Sequence, residues 1–587
     1  MTYKMKKTLL FSVALAGLML GSCSSSDDLN GGGTGKFGAD GQGFVNVTLN
    51  LPTQPQSTSR AANDVLDHGD AEEYNVKDAT LILFAGADEA TAKIKAAYNL
   101  SGWKKDLTPS AQISTTLSKV QKINVISASS TDKIYAFVVL NHNNALKVTP
   151  TNTLQVNETD FTGTFADLSK EDIKKSLTKD NLMMSNAVII SKPGSADIST
   201  EKATTLTDVT DKIYATESEA TSHPAANIYV ERLAAKVTLG NATGTSTNTV
   251  SVGSGAAKTF AYSLEGWRLA NVNTSSYLTR QYDNTWNGYK SDATDFTTTS
   301  HVDYDNNSYR FAGISPIATG NYRTYWGKDA NYEAAPSFTD GNAEPTLAGG
   351  ASTYCYENTF NVAHQNVKET TCAIVKMKIT PDGYGDGTFF TIDDNKGVVY
   401  PIAEVKKEIG QRFLAEMGAS IGTTYYPATT GTIKVSDVQF DDKAGVVEIK
   451  KITLTDGATP KDVSDADLAA FKALKAIKVN EFKDGYAYYT ILIKHFGDEL
   501  TPWNPSTKTT LSYPGTNNEE NWLGRYGVLR NNWYKLDVTG VAAIGASTPG
   551  ELNVNNDDTP DDNLKRYISC KINALSWAVR KQETILQ

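Results

Sequence analysis

The sequence FVNVTLNLPTQPQSTSRAAN, residues Phe44–Asn63, joins two different patterns. Its first half alternates apolar and polar residues, which is typical of a strand with one buried face. The apolar positions of this half are Val45, Val47, Leu49 and Leu51. Its second half is rich in Pro, Gln, Ser and Thr, a composition that predicts a linker. The stretch therefore predicts a strand that is followed at once by exposed chain.

The same alternation recurs along the 587-residue chain and predicts an all-β fold. Runs such as DATLILFAG and KIYAFVVLN are separated by turn residues, and we expect strands near residues 76–85, 133–141 and 228–239. A segment rich in Gly, Ser and Thr predicts a domain boundary near residues 240–255. The chain length and the strand spacing fit two β-sandwich domains.

Helical periodicity interrupts the strand pattern at three places, residues 169–177, 403–418 and 465–477. Asp465 is the candidate N-cap of the last of these segments, because an acidic residue there precedes the periodic apolar positions. We therefore expect a few short helices among the strands.

The N-terminus has the features of a lipoprotein signal peptide. Three lysines precede an apolar run over residues 9–20, and this run is too short to span a bilayer. The sequence LGSC that follows ends at Cys23 and resembles a lipobox, which predicts cleavage before Cys23 and lipidation of this residue. The acidic pair at residues 27–28 resembles the export tag of surface lipoproteins. An ordinary signal peptide with a Cys near its cleavage site is the alternative.

The overall charge argues against a nucleic-acid partner. The chain has 56 basic and 66 acidic residues, which gives a formal net charge of −10 at pH 7, and no basic stripe is present. Nothing in such a sequence attracts a phosphate backbone.

The sequence contains no motif typical of an enzyme or of a metal site. The six histidines lack metal-ligand spacing, and neither a GxSxG sequence nor a Walker loop occurs. The segments 382–387 and 555–562 could hold Ca²⁺ but lack the ligand ladder of an EF-hand loop, so solvated turns are the simpler interpretation. The Tyr and Trp residues could form a sugar-binding platform, although aromatic residues in strands belong more often to a core. We expect no enzymatic activity, no metal and no cofactor.

Three cysteines remain after Cys23, namely Cys355, Cys372 and Cys570. An odd number in an exported protein excludes a complete disulfide framework. Cys355 and Cys372 lie 17 residues apart and could bridge neighbouring strands, and two buried free thiols are the alternative. No CxxC sequence is present, so neither arrangement suggests a redox or zinc site.

Several segments together resemble the fimbrillin family, whose members are the lipoprotein-precursor subunits of type V pili. The first is VERLAAKVTL, and it is followed by GWRLANVN with SYL, by YRTYWGKDANY and by YCYENTF. The downstream set is GYAYYTILIKHF, YGVLRNNWYKLDV and the terminal SWAVRKQ. These segments follow the family's order from about residue 76 onward, and they are most similar to the shaft subunit of the minor-fimbrium type.

The resemblance implies two transthyretin-like β-sandwich domains with a few short helices. It also implies export as a lipoprotein, cleavage after an Arg by a trypsin-like or gingipain-like protease, and assembly by strand exchange. The implied partners are other copies of the chain together with anchor and tip fimbrial proteins. The precursor would be lipid-anchored in the outer membrane, and the mature form would lie in fimbriae at the cell surface.

The corresponding division of the chain has five parts. They are a signal peptide (1–22), a lipidated propeptide with a removable first strand (23–60), an N-terminal β-sandwich (61–240), a C-terminal β-sandwich (241–550), and a hinge with a donor-strand segment (551–587).

The strand and linker of the opening stretch fit this scheme on physical grounds. Arg60 is the only Lys or Arg between Lys36 and Lys77, and the small residue Ala61 follows it. We predict proteolytic processing between Arg60 and Ala61, and an ordinary linker Arg is the alternative. The cut would allow the first strand to leave, which would open a hydrophobic groove flanked by unpaired backbone groups.

The C-terminal segment is the predicted donor strand for such a groove. In KINALSWAVRKQETILQ the apolar residues Leu575, Trp577 and Val579 occupy alternate positions, as in a strand with one apolar face. The acidic loop at residues 555–562 is the predicted hinge. The alternative is that this segment forms a last edge strand of the chain's own second domain.

The leading interpretation is a structural subunit of the fimbrial shaft, which polymerises and is not an enzyme. The first alternative is an accessory or tip fimbrillin that acts as an adhesin for host or bacterial surface ligands. The second is a surface glycan-binding lipoprotein, which an oligosaccharide binding screen on the mature protein would reveal.

Overall fold

The computed structural model describes a chain that begins at residue 37 and ends at residue 576. The description excludes the following residues: 39, 52–69, 103, 107–115, 125, 127, 129–130, 174–176, 191–203, 282–311, 319–320, 325–326, 331–342, 386, 428–430, 444, 496–502, 505–508, 511–525 and 559–567.

Strands dominate the described residues. The strands of the first part are β1 Gln42–Asn50, β2 Ala79–Gly86, β3 Lys93–Asn99, β4 Lys104–Asp106, β5 Thr116–Asn124, β6 Lys133–Leu140, β7 Leu146–Val148, β8 Leu154–Val156, β9 Thr159–Asp160, β10 Asp172–Ile173, β11 Met184–Asn186, β12 Ile189–Ile190, β13 Thr207–Asp208, β14 Ile213–Tyr214 and β15 Ala226–Arg232. The next strands are β16 Ala234–Leu239, β17 Thr243–Val252, β18 Ala257–Ala270, β19 Ser276–Tyr277, β20 Ala312–Ala318, β21 Asn321–Thr324, β22 Ser352–Tyr356, β23 Cys372–Pro381, β24 Phe389–Ile392 and β25 Val398–Val399. The last are β26 Lys434–Lys443, β27 Val446–Thr455, β28 Lys461–Asp462, β29 Val479–Phe482, β30 Tyr486–Leu492, β31 Trp503–Asn504, β32 Thr509–Thr510, β33 Asn532–Val541 and β34 Ile568–Ser576. The α-helices are α1 Phe165–Ser169, α2 Glu217–Ser222, α3 Ile402–Tyr425 and α4 Asp465–Leu474. The predicted all-β class is confirmed.

The first sheet has the strand order β3-β2-β6-β11-β15-β1-β5-β4, with β13 beside β6 and β14 beside β1. Apolar residues of β2 and β6 form one buried cluster with those of β1, β5 and β15, so the two halves of the sheet enclose a common core. We call this unit the first sandwich. Phe165 of α1 covers the other face, where it packs edge-on against Phe84 and Phe137. Strand β6 is therefore buried on both faces, which explains its continuous apolar sequence.

The second sandwich is formed by two sheets with the orders β22-β16-β33-β34 and β25-β17-β18-β23-β30. Trp267 of β18, Val375 of β23 and Tyr534 of β33 are fully buried between these sheets. In the first of the two sheets β16 and β33 run parallel, whereas β22 and β34 pair antiparallel with their neighbours. Among the strands that the structure describes, β34 lies at the edge of its sheet and pairs with β33 alone.

A further unit between β23 and β30, which the sequence patterns do not predict, combines a sheet with two helices. Its strand order is β24-β29-β27-β26, and α3 and α4 pack on it. The buried face of α3 repeats at every fourth residue, as Val405, Ile409, Phe413, Met417 and Ile421.

The expectation of a few short helices among the strands is confirmed, but the bounds expected for residues 403–418 and 169–177 differ from those observed. Helix α3 has 24 residues because its apolar stripe continues beyond residue 418 to Ile421. Helix α1 lies before the predicted segment, since Thr164 and Asp167 form a capping box that starts the helix there. Beyond it, β10 pairs with β19, so the backbone of Asp172–Ile173 is extended.

The start of α4 differs from the prediction by one residue. Ser464, not Asp465, is the N-cap, because its hydroxyl accepts a hydrogen bond of 3.2 Å from the backbone N–H of Asp467. Asp465 is the first helical residue. Together with Asp467 it places negative charge in the first turn, where this charge interacts favourably with the positive end of the helix dipole.

The strand expected over residues 228–239 is divided between two sheets. Strand β15 ends at Arg232 in the first sheet, the buried Leu233 follows, and β16 begins at Ala234 in the second sandwich. The crossing from one sandwich to the other therefore takes a single residue. The predicted division of the chain at residues 240 and 241 stays a prediction, and β16, just before it, already pairs with β22 and β33.

Candidate functional site

Strand β1, which contains the predicted removable strand, lies in the interior of the first sheet. It pairs antiparallel with β5 over all nine residues Gln42–Asn50, and Val47–Asn50 pair in parallel with β15. Its start also pairs with β14. Since both long edges of β1 are occupied, its removal would leave unpaired backbone groups on both sides of a gap.

The four predicted apolar residues of this strand point into the core. The side chains of Val45, Val47 and Leu49 are fully buried, and Leu51 just after the strand is 1% exposed. They belong to the cluster that also contains Leu117 of β5 and Ile228 of β15. The gap left by β1 would therefore be hydrophobic along its whole length.

The predicted lipidation and cleavage residues lie outside the described residues. These are Cys23, Arg60 and Ala61. The residues on either side of the predicted linker are fixed in the fold. Leu51 is buried in the core of the first sheet, and Asp70 accepts hydrogen bonds from Lys179 and Lys236. The bond from Lys179 is the main reason why the pKa of the Asp70 carboxyl is lowered.

The predicted donor segment begins as strand β34 of the chain's own second sandwich. Leu575 occupies the register position opposite Trp533 of β33, whereas Trp577 and Val579 lie outside the described residues. In the described residues this segment therefore has the arrangement that the sequence left open as an alternative: it is an edge strand of the chain's own second sandwich. A role as donor strand stays a prediction.

Two of the cysteines of the second sandwich are free. Cys355 and Cys372 are both buried and unbridged, and burial raises the pKa of each thiol to about 12. Such thiols are not ionised near neutral pH, so they behave as small apolar side chains.

No other chemical site is evident in the described residues. Within them, His, Cys, Asp and Glu side chains form no group of three that could hold a metal ion. None of the helices in the part of the chain that the structure describes is both long enough and apolar enough to cross a membrane.

The sequence patterns did not predict a set of buried charges at the crossing from β15 to β16. In this set Arg280 pairs with Glu231 at 3.0 Å, and Arg530 pairs with Glu357 at 2.5 Å. Lys236 pairs with Glu73 at 2.5 Å. All six side chains are at most 2% exposed. We call them the junction cluster: Glu73, Glu231, Lys236, Arg280, Glu357 and Arg530.

Five of the six residues of the junction cluster occur in the segments that carry the family resemblance or directly follow one. VERLAAKVTL contains Glu231 and Lys236, YCYENTF contains Glu357, and YGVLRNNWYKLDV contains Arg530. Arg280 lies two residues after SYL. A charged residue inside an otherwise apolar strand was the available signal, because such a residue is tolerated there only when it is paired.

The comparison with protein families identifies the C-terminal region. Residues 480–583 match the family described as major fimbrial subunit protein type IV, fimbrillin, C-terminal. The resemblance to the fimbrillin family is confirmed. The matched range contains Arg530 and the whole of β33 and β34. Fimbrillins are subunits of cell-surface fimbriae that assemble with other fimbrial proteins, and they are not enzymes. The C-terminal region of the chain is accordingly similar to fimbrillins, which are structural proteins and not enzymes.

Solved structures of fimbrial and adhesion proteins align with most of the chain. A candidate cell adhesion protein from Parabacteroides distasonis is 11% identical with a TM-score of 0.33, and the alignment covers 91% of this chain and 97% of that one. A fimbrial assembly protein from the same species is 10% identical with a TM-score of 0.28, covering 92% and 98%. The tip fimbrial protein Mfa3 from Porphyromonas gingivalis, with a C-terminal truncation, is 12% identical with a TM-score of 0.27, covering 91% and 100%. No curated protein sequence matches the chain.

Proposed function

We propose that the chain is a fimbrial shaft subunit that is made as an outer-membrane lipoprotein and polymerises by strand exchange. In this scheme Cys23 carries the lipid, and an Arg-specific protease cuts between Arg60 and Ala61. Strand β1 then leaves with the lipidated fragment, and the C-terminal segment of another copy takes its place. The observation that supports this scheme best is the interior position of β1, a strand that is joined to the later chain only through the segment containing Arg60.

The contacts of β1 set the energy scale of the exchange. Burial of the side chains of Val45, Val47, Leu49 and Leu51 contributes on the order of 6–12 kcal/mol before the entropy of ordering the segment is subtracted. This holds β1 in the intact precursor, where the strand is also covalently tied. Once the chain is cut, dissociation gains the translational entropy of a separate fragment, and a strand from another copy can compete for the same groove.

The geometry of the groove restricts what can fill it. A replacement strand has to run antiparallel to β5 and parallel to β15, and it needs apolar residues at alternate positions. The C-terminal residues Leu575, Trp577 and Val579 have this spacing. Because β33 is the one described strand that pairs with β34, release of β34 breaks one set of interstrand hydrogen bonds in the described part of the chain.

The existence of a donor segment favours a shaft subunit over a tip subunit. A subunit at the tip accepts a strand but has no need to donate one, so a long apolar C-terminal segment would serve no purpose there.

The experiment that tests the proposal is limited trypsin digestion of the purified precursor, followed by N-terminal sequencing, intact mass and an unboiled gel. We expect a new N-terminus at Ala61 and a ladder of multimers. The Arg60→Ala variant under the same digestion is the matched control and should give neither. A cut at Ala61 without a ladder would favour an accessory subunit, and no cut near Arg60 would overturn the processing step.

A further inference from the structure

The junction cluster connects parts of the chain that belong to different sandwiches. Glu73 precedes β2 of the first sheet, yet its carboxylate binds Lys236 of β16 and accepts a hydrogen bond of 2.5 Å from the hydroxyl of Tyr354 on β22. Burial and this bond raise the pKa of the Tyr354 hydroxyl. The turn before β2 is thereby fixed to the sheet that ends in β34.

The contact of Lys236 extends this connection to β33. The Lys236 ammonium lies 3.8 Å from the centre of the Trp533 ring, and the Trp533 indole N–H donates a 2.9 Å hydrogen bond to Thr238. Trp533 is in turn the register partner of Leu575 in β34. A continuous set of contacts therefore leads from the turn after the predicted cleavage segment to β34, which contains the predicted donor residue Leu575.

The other two ion pairs fix a second connection between the sandwiches. The segment 276–281 leaves β18 of the second sandwich and reaches the first, where β19 pairs with β10. Arg280 in this segment binds Glu231 of β15 and donates a 3.4 Å hydrogen bond to the backbone carbonyl of Arg530. Arg530, paired with Glu357, also donates hydrogen bonds of 3.1 Å to Ser276 and to the carbonyl of Tyr277.

Buried ion pairs of this kind resist separation more than they add to folding stability. Breaking a buried pair by removing one partner is strongly destabilising, because the other charge is left without compensation away from water. Two sandwiches joined by a single-residue crossing would otherwise be expected to move relative to each other. Three such pairs, with the further hydrogen bonds that Arg280, Arg530 and Glu73 make, oppose that movement.

We propose that the junction cluster is a mechanical joint that fixes the two sandwiches in one orientation and transmits tension between them. The source of the tension rests on the proposed function: the groove lies in the first sandwich and the donor segment in the second, so a pulled fibre loads every subunit across this crossing. The joint itself is a property of the single subunit and exists before assembly.

Hydrogen–deuterium exchange of the full-length, uncleaved chain tests the joint directly. Glu73→Gln removes the carboxylate charge that holds Lys236, and we expect exchange in residues 70–74 and in β16 to rise by about tenfold or more. Glu72→Gln is the matched control, because Glu72 is the exposed neighbour of the same turn. It should change these rates by less than about twofold. Exchange in β27, remote from the crossing, should stay constant in both variants.

A milder variant keeps the test valid if Glu73→Gln does not fold. Tyr354→Phe removes only the hydroxyl that binds Glu73, and we expect a rise of about threefold or more at the same amides. If folded Glu73→Gln or Tyr354→Phe protein exchanged at the wild-type rate in residues 70–74 and in β16, the joint would be refuted.

The transmission of tension is tested on fibres. Glu73→Gln leaves the groove and the donor segment unchanged, so cleaved subunits should still assemble, but sheared fibres should break into shorter pieces than those of wild type or Glu72→Gln in electron micrographs. Equal fragment lengths would overturn the mechanical role. Failure of the wild-type chain to form fibres would instead overturn the proposed function, while the exchange experiment would still decide whether the joint exists.

Discussion

At the scale of single residues, substitution of Leu49 tests how much the burial of β1 stabilises the precursor against unfolding. Its side chain is fully buried, so we expect Leu49→Ala to lower the unfolding free energy of the uncleaved precursor by about 2–4 kcal/mol, through lost burial and a residual cavity. Denaturant unfolding followed by tryptophan fluorescence measures this change. Asn46→Ala, at a half-buried position on the other face of β1, is the control and should cost less than about 1 kcal/mol.

The same substitution has a second consequence after cleavage. Because only non-covalent contacts retain β1 once the chain is cut, and the Leu49 side chain is one of them, the Leu49→Ala fragment should leave sooner, and multimers should form faster than with wild type. An unchanged or slower rate of ladder formation would show that loss of β1 does not limit assembly.

The buried thiols give a chemical prediction at the same scale. With pKa values of about 12, Cys355 and Cys372 are ionised in about one molecule in ten thousand at pH 8, and both are shielded from solvent. We expect iodoacetamide to leave both unmodified in the folded protein and to label both after unfolding without a reductant, as mass spectrometry of the peptides would show. Absence of label after unfolding would mean that the two residues form a disulfide.

The sequence predicts the buried apolar face of β1 but not the pairing within the junction cluster. The alternation of Val45, Val47 and Leu49 predicts a buried face because strand geometry sends alternate side chains to the same side. The charges of Glu231 and Lys236 inside apolar strands indicate that each needs a partner but not which one, since the partners, Arg280 and Glu73, lie 49 and 163 residues away. Contacts over such separations are set by the packing of two sandwiches and not by local sequence.

At the scale of elements, the deletion of residues 571–587 separates folding from assembly. It removes most of β34 and all the predicted donor residues, but the buried core between β16, β33 and the facing sheet remains. We expect folded, cleavable monomers that form no ladder on an unboiled gel. A shorter deletion of residues 582–587 keeps Leu575, Trp577 and Val579 and should still assemble. Ladders from the longer deletion would assign the donor strand to another segment.

Local sequence patterns predicted whether a segment forms a strand or a helix better than they predicted which strands it pairs with. Strands β2 and β6 correspond to the expected segments 76–85 and 133–141, and the apolar period of α3 predicted a helix. The division at Leu233 was not predictable, because β15 and β16 form one continuous strand pattern in the sequence. Strand β15 joins the first sheet by pairing with β11 and β1, whereas β16 joins the second sandwich by pairing with β22 and β33. All four of these partner strands are distant in sequence.

At the scale of the whole molecule, the predicted lipid attachment residue Cys23 and the first strand lie on one side of Arg60, and the other described strands lie on the other side. A single cut would therefore release the subunit from the membrane and open its groove at the same time. This coupling predicts that uncleaved subunits neither leave the outer membrane nor polymerise. It also explains why no separate signal would be needed to keep precursors from assembling inside the cell, where β1 occupies the groove.

The Arg60→Ala variant tests this coupling in cells. We expect a full-length, lipidated monomer in the outer-membrane fraction and no fimbriae in electron micrographs, because neither the anchor nor β1 is released. Lys36→Ala, the preceding basic residue, is the control and should give normal fibres. Arg60→Lys distinguishes the proteases: an Arg-specific enzyme should leave it uncut, whereas an enzyme with trypsin's dual specificity should process it. Normal fibres from Arg60→Ala would contradict the processing mechanism, since β1 would then have to leave its groove while still covalently joined to the subunit.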